Sequence, residues 1–179
     1  MGKRASGRAR RLIIALAALG ALLAADLGTK HWAETVLRRH GARSALGGVL
    51  VLRYQTNSGI AFGIGRAPII PWKRKALIAY GTAVSVGLAL VLGLRLADPT
   101  SSRVTRTGLL LLLAGATGNL RDRLDRGAVI DFLDLQPPGG PPWPAFNLAD
   151  MYLAVGLVAC AVGLVLAQRQ ERESGAPKS

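Results

Sequence analysis

Aromatic residues make up only 5 % of this 179-residue chain, and it has a single cysteine and two histidines. Each scarcity closes off a class of chemistry. One cysteine, Cys160, allows no disulfide within the chain and no thiolate metal site. His31 and His40 have no second ligand at helical or hairpin spacing, so a zinc centre is not expected. Acids are scarce too: ten Asp and Glu stand against 23 Lys and Arg, giving a formal net charge of +13. In a soluble protein that excess would suggest nucleic-acid binding. Here the basic residues lie mainly between apolar runs, where they meet anionic headgroups. No nucleic-acid partner is expected.

What the chain has in quantity is Leu, Ala, Val and Gly. Half its residues are hydrophobic and the mean hydropathy is +0.32. Small residues of this kind let helices approach closely in lipid, whereas a soluble core wants more Phe, Ile and Tyr. The length suits a single integral membrane domain, residues 1–179. Four transmembrane helices are expected, over about 12–32, 76–97, 104–124 and 148–167. The basic cluster before Leu12 also resembles the start of a secretory signal peptide. However, the helical pattern continues past Ala25, and Asp26 and Lys30, four apart with the acid first, suit an ion pair on one face of a retained helix. The third run is the weakest. Thr107–Leu120 is too short to span unless Arg103 and Arg106 snorkel at one end and Arg121 and Arg123 at the other.

Between residues 41 and 66 the pattern changes. GGVLVLRYQTNSGIAFGIG carries β-branched and aromatic residues bounded by glycines, with NSG as a turn signal, and predicts one or two short strands in a hairpin. An open sheet edge cannot face lipid, so this β element belongs outside the hydrocarbon or against protein. A brief amphipathic helix is expected around Ile69–Lys73, cut short by Pro68 and Pro71. The tail from Gln168 has no pattern and is expected to fray. The fold class is thus an all-α membrane protein of four transmembrane helices, with a small β element over about residues 41–66 expected on the extracytoplasmic side. Four spans put both termini on one side. By sequence count that side holds eleven Lys and Arg and the other twelve, so the dense N-terminal cluster decides for cytoplasmic termini.

The stretch Gly115–Asp150 places acids between two apolar segments, and ionisable groups at a membrane boundary are functional candidates. Asp131 closes the apolar run GAVID, and Asp150 sits at the mouth of the last hydrophobic segment. A plainer reading exists for each. Asn147 with Asp150 at the third helical position is close to a capping box, and Asp131 could be a solvated acid after a short strand. The alternative pairs them, because PPGGPPWP can form a stiff turn that folds back and brings both carboxylates to one membrane edge. Two adjacent carboxylates cannot both ionise readily. One can then activate water while the other polarises a peptide carbonyl. Asp131, which follows an apolar run, is the expected proton carrier; Asp150, at a helix start, is the expected anion. Nearby, Asn119 and Arg123 share a helix face, Asp122 can pair with Arg121 or Arg126, and Asn57 suits either a turn or a contact to bound backbone.

Five blocks carry a family resemblance: DLGTK at Asp26–Lys30, TNSGIAFGI at Thr56–Ile64, GNLRDR at Gly118–Arg123, AVIDF at Ala128–Phe132 and FNLAD at Phe146–Asp150. In this order they resemble lipoprotein signal peptidase, or signal peptidase II, a bacterial membrane aspartyl protease family. The resemblance implies that Asp131 and Asp150 are the catalytic pair. It also implies that Asn57, Asn119, Arg123 and Asn147 line the site, and that Asp26, Lys30 and Asp122 give structural support. It further implies cleavage of lipid-modified prolipoproteins just before the diacylglyceryl cysteine, at the outer face of the cytoplasmic (inner) membrane of a bacterium. Membrane lipids are the other expected partners, with no cofactor and a monomeric state. Ser58 stands where the family usually has Thr or Arg, and Ile60 where Ala or Ser is common; both bear on the hairpin. A small transporter or proton-conducting subunit is the competing reading, and it predicts midplane acids and an internal repeat. A structural adaptor is a third, and it leaves the polar cluster unexplained.

Overall fold

The computed structural model describes residues 2–59, 71–141, 143–173 and 175. The first helix, α1 (Gly2–Trp32), does not stop at the polar Asp26–Lys30 segment. It continues through a π turn, Ala33–Leu37, and a last α turn, Arg38–His40. The expected span ends at Trp32, where α1 ends, but the helical course runs on to His40. Asp26 and Lys30 are buried inside protein instead of ending the helix, and the next turn buries Ala33 and Leu37 against Ile130 and Phe132. Trp32 meets Phe132 edge-on, with ring centroids 6.4 Å apart.

A three-stranded antiparallel sheet follows: β1 (Arg43–Ala45), β2 (Leu50–Asn57) and β3 (Val129–Leu135), in that spatial order. A hairpin, β1–β2, forms within the expected β region, while the residues that follow the NSG signal lie outside the described residues. The chain reverses at Leu46–Gly48, where Leu46, Gly47 and Gly48 all have positive φ. Asn57 ends β2 opposite Val129, so its partner strand comes from seventy residues further on. Residues 60–66 of the expected β region, together with Ile69 and Ile70, lie outside the described residues. The expected brief helix at Ile69–Lys73 is corrected over its described part. Pro71–Lys73 form the first turn of α2 (Pro71–Ala97), where proline's missing N–H is not needed.

Helix α3 (Arg103–Asp125) begins at Ser102, whose hydroxyl accepts from the Thr105 N–H at 3.1 Å. It is the buried centre of the helical layer and packs against α1, α2 and α4 (Leu148–Glu173). Glycines set how closely α3 approaches α1 and α4. A Cβ on Gly115 would collide with the Ala149 carbonyl, and one on Gly118 would fall 2.5 Å from Asp26 Oδ2. Among the described residues, three helices are long and apolar enough to cross a membrane: Ser6–His40, Pro71–Ala97 and Leu148–Gln170. Their outer faces expose Ile13, Leu16, Leu90, Leu94, Leu157 and Val158, the pattern of helices that face lipid. Helix α3 has 23 residues but carries arginines at both ends, and its middle is covered by its neighbours.

Candidate active site

Asp131 lies in the middle of β3, between Ile130 and Phe132, and only 1 % of its surface is exposed. Both faces of this strand are covered, by the end of α1 on one side and the helical layer on the other. The plainer reading of Asp131 as a solvated acid is therefore wrong. After β3, the proline-rich loop turns back along the strand. Trp143 N–H donates to the Leu135 carbonyl at 2.9 Å, and Phe146 and Leu133 exchange backbone hydrogen bonds, both at 2.9 Å. This return delivers Asn147 beside Asp131 and starts α4 at Leu148.

Asn147 is completely buried and joins the two aspartates. Its Nδ2 donates to Asp131 Oδ1 at 2.9 Å, while its Oδ1 accepts from the Asp150 backbone N–H at 3.0 Å. Asp150 Oδ2 accepts from the Asn147 backbone N–H at 3.2 Å, which completes the reciprocal capping box. Asp150 is thus a cap, but capping uses only one oxygen. Its Oδ1 accepts from Asn119 Nδ2 at 2.8 Å and belongs to a cleft of about 190 Å³ that Asp131 also lines. Asp131 Oδ2 is buried and has no hydrogen-bond partner. Burial, reinforced by the charge of Asp150, pushes the Asp131 carboxyl up to about 7, against the opposing pull of the Asn57 and Asn147 amides. The arrangement holds two carboxylates at one small cleft.

The other expected residues converge on the same place. Asn57 accepts from the Gly59 N–H through Oδ1 at 2.9 Å, so it is a turn residue as well as a wall of the cleft. Arg123 reaches across from α3; its guanidinium donates to the carbonyls of Asn119 and Gly59 at 3.2 and 3.0 Å. Lys30 does more than pair with Asp26. Its ammonium contacts Asp26 Oδ2 at 2.8 Å, Asp122 Oδ2 at 3.0 Å and Asn119 Oδ1 at 3.1 Å. Asp122 pairs with Arg126 at 3.0 Å, and Arg121 takes Asp125 instead. Asp122 also accepts from the Ile130 N–H at 3.3 Å, next to Asp131. Asp26 Oδ1 accepts from the Ala149 N–H at 3.0 Å, next to Asp150. A buried charge network therefore grips the backbone immediately before each aspartate.

Sequence reasoning missed two features of the site. Leu77, Tyr80, Gly81 and Val84 of α2 form the apolar wall of the cleft; nothing separates them from an ordinary membrane-helix face until the packing is known. The Arg53–Asp134 bridge, at 2.8 Å, ties β2 to β3 beyond the site. Its signal is the cross-strand register, which pairs Val51 with Asp134 and has an irregularity between Leu52 and Gln55.

Residues 18–166 match the family model of signal peptidase (SPase) II. Curated relatives agree. A lipoprotein signal peptidase of Syntrophus aciditrophicus (strain SB) is 33 % identical over 89 % of this chain and 97 % of its own. One from Moorella thermoacetica (strain ATCC 39073 / JCM 9320) is 35 % identical, covering 85 % of this chain and 93 % of its own. The fold is shared with solved structures of bacterial membrane enzymes. One aligns with a TM-score of 0.68 at 21 % identity over 96 % of this chain and 94 % of its own, another with 0.67 at 23 % over 87 % and 92 %. The chain belongs to the signal peptidase II family of membrane proteases.

Proposed function

We propose that this family member removes the signal peptide from prolipoproteins as an aspartic endopeptidase, with Asp131 and Asp150 as the hydrolytic pair and no cofactor. The observation that carries the reading is the Asn147 bridge, which holds both carboxylates at one cleft. Asp150 accepts two N–H hydrogen bonds at the start of α4, a setting that suits an anion. Asp131, pushed up to about 7, carries a proton in a large share of molecules near neutral pH. Ionised Asp150 takes a proton from the attacking water, and protonated Asp131 donates a hydrogen bond to the scissile carbonyl. When the tetrahedral intermediate collapses, a proton passes to the departing amine and the pair returns to its shared-proton state. Asn57 and Arg123 border the cleft and are suited to orient the substrate backbone. Asp26, Lys30 and Asp122 hold the pair in place.

The apolar wall from α2 beside two acids fits a substrate that is peptide on one side and lipid on the other. The family resemblance implies a scissile bond just before the diacylglyceryl cysteine, and this wall is consistent with that position. The test is cleavage by the purified protein of a diacylglyceryl-modified precursor and of the same precursor without lipid. Efficient cleavage of the first and little of the second is expected; equal rates would remove the lipid from the reading. Membership of a protease family disfavours the transporter alternative.

Placement follows the same line. The chain is read as one monomeric domain in the bacterial inner membrane, with α3 as a fourth span sheltered by the other three. Both termini are assigned to the cytoplasm and the aspartates to the outer edge. In a Cys160→Ala background, a cysteine replacing Gly139 should react with a membrane-impermeant thiol reagent on intact spheroplasts. One replacing Arg172 should react only after lysis. The reverse pattern would invert the topology.

A further inference from the structure

A second and larger hollow, about 650 Å³, lies at the opposite end of the helices from the aspartates. Along α3, Arg106 at this hollow and Asn119 at the active cleft are separated by roughly 20 Å of helix rise. The first turns of α1, the end of α2 and the start of α3 form its walls. Four guanidinium groups surround it: Arg10, Arg11, Arg103 and Arg106. Apolar side chains also line it, with Ile14, Leu92 and Leu110 among them.

Like charges gathered round one cavity repel each other, and they persist where something neutralises them. Among the described residues, no carboxylate forms an ion pair with any of the four. Asp98, nearby in sequence, has its Oδ1 occupied by the Thr100 backbone N–H and hydroxyl at 2.8 and 2.7 Å. Arg11 is fixed by donating through Nε to the Leu96 carbonyl at 2.9 Å. Arg106 Nη1 is buried and has no hydrogen-bond partner. That nitrogen is shielded from solvent, so an anion in the hollow would meet the other donors of the Arg106 guanidinium.

We propose that the hollow binds one anionic phospholipid from the leaflet opposite the active site. Its phosphate would lie between Arg11 and Arg106, with Arg10 and Arg103 at the rim. One acyl chain would run along Ile14, Leu92 and Leu110. Guanidinium forks match phosphate oxygens in geometry as well as charge. The apolar side chains of Ile14, Leu92 and Leu110 beside the guanidiniums favour a lipid over free phosphate. The inference rests on the helices spanning a bilayer and does not depend on the assignment of Asp131 and Asp150.

The full-length protein in a neutral detergent is titrated with phosphatidylglycerol, with phosphatidylcholine and with inorganic phosphate, and bound lipid is counted by native mass spectrometry. One tightly retained phosphatidylglycerol is expected, in preference to phosphatidylcholine. Arg11→Gln with Arg106→Gln should weaken it about tenfold or more. Arg106→Lys should keep the preference. Arg169→Gln with Arg172→Gln, a charge-matched change on α4 outside the hollow, should leave it intact. Equal retention of the two lipids by the wild type would overturn the proposal, whatever the variants do. So would a loss in the α4 control as large as in the Arg11/Arg106 pair, which would mean diffuse surface charge. Displacement of the lipid by millimolar phosphate would mean a phosphate site without a lipid.

Discussion

Replacing either Asp131 or Asp150 by Asn is expected to lower prolipoprotein cleavage by at least about 10², the usual worth of a positioned acid or base. The loss should be larger if the two act as a unit, and the double variant should then be no worse than either single one. Asn is nearly isosteric and can still hydrogen-bond, so insertion and folding should survive. The pH response separates a chemical role from a structural one. The Asp131 carboxyl is pushed up to about 7, so it is neutral below that pH and ionised above it. Wild-type turnover should therefore decline as pH rises through about 7, because the pair loses its one proton. A protonated-carboxyl infrared band should fade over the same range and be missing from Asp131→Asn. A variant that cleaves a lipidated precursor at near wild-type rate would falsify the pair. A carboxyl band that persists in Asp131→Asn but disappears in Asp150→Asn would exchange the two roles.

The largest expected effect on stability comes from Lys30. Its side chain is 1 % exposed and its two carboxylate partners, on Asp26 and Asp122, are both 0 % exposed. Lys30→Met keeps the length and removes the charge. Asp26 then has no cation, and Asp122 keeps only Arg126. Breaking a buried ion cluster from one side costs about 3–5 kcal/mol, because a charge is left behind without compensation. Adding Asp26→Asn to Lys30→Met should recover part of the loss, since the stranded charge is then gone. Unfolding in mixed micelles measures both. A Lys30→Met protein as stable as the wild type would show that the cluster carries no strength. Activity should fall along with stability, because Asp26 and Asp122 hold the Ala149 and Ile130 N–H groups beside the two aspartates.

The site was legible in the sequence where its chemistry is carried by short blocks. AVIDF and FNLAD name both acids, and the spacing of Asn147 from Asp150 already suggests the box that forms. The pairing of Asp26 with Lys30 was equally legible, because four residues on a helix are neighbours whatever the fold. What could not be read depends on register between distant segments. β2 finds β3 far along the chain, so the pairing of Asn57 with Val129 beside the candidate site could not be read from the NSG stretch alone. Lys30 meets Asp122 only after α1 and α3 pack, and one-dimensional spacing offered Asp122 nearer arginines. The helical course continues past the polar Asp26–Lys30 segment for the same reason: a polar segment reads as a boundary unless its partners are known to be buried with it.

The first helix reaches the bilayer during synthesis before its eventual partners exist. Asn119 is 89 residues further along the chain from Lys30, and Ala149 is 123 residues beyond Asp26. An unpaired ammonium and a separate carboxylate would each resist partition into lipid throughout that interval. Lys30 and Asp26 avoid this by lying one turn apart, 2.8 Å between charged atoms. They can enter as a self-neutralised dipole and exchange part of that contact for Asp122 and Asn119 when the third helix arrives. The bond that locks the finished enzyme thus also serves as the escort that lets its first helix cross.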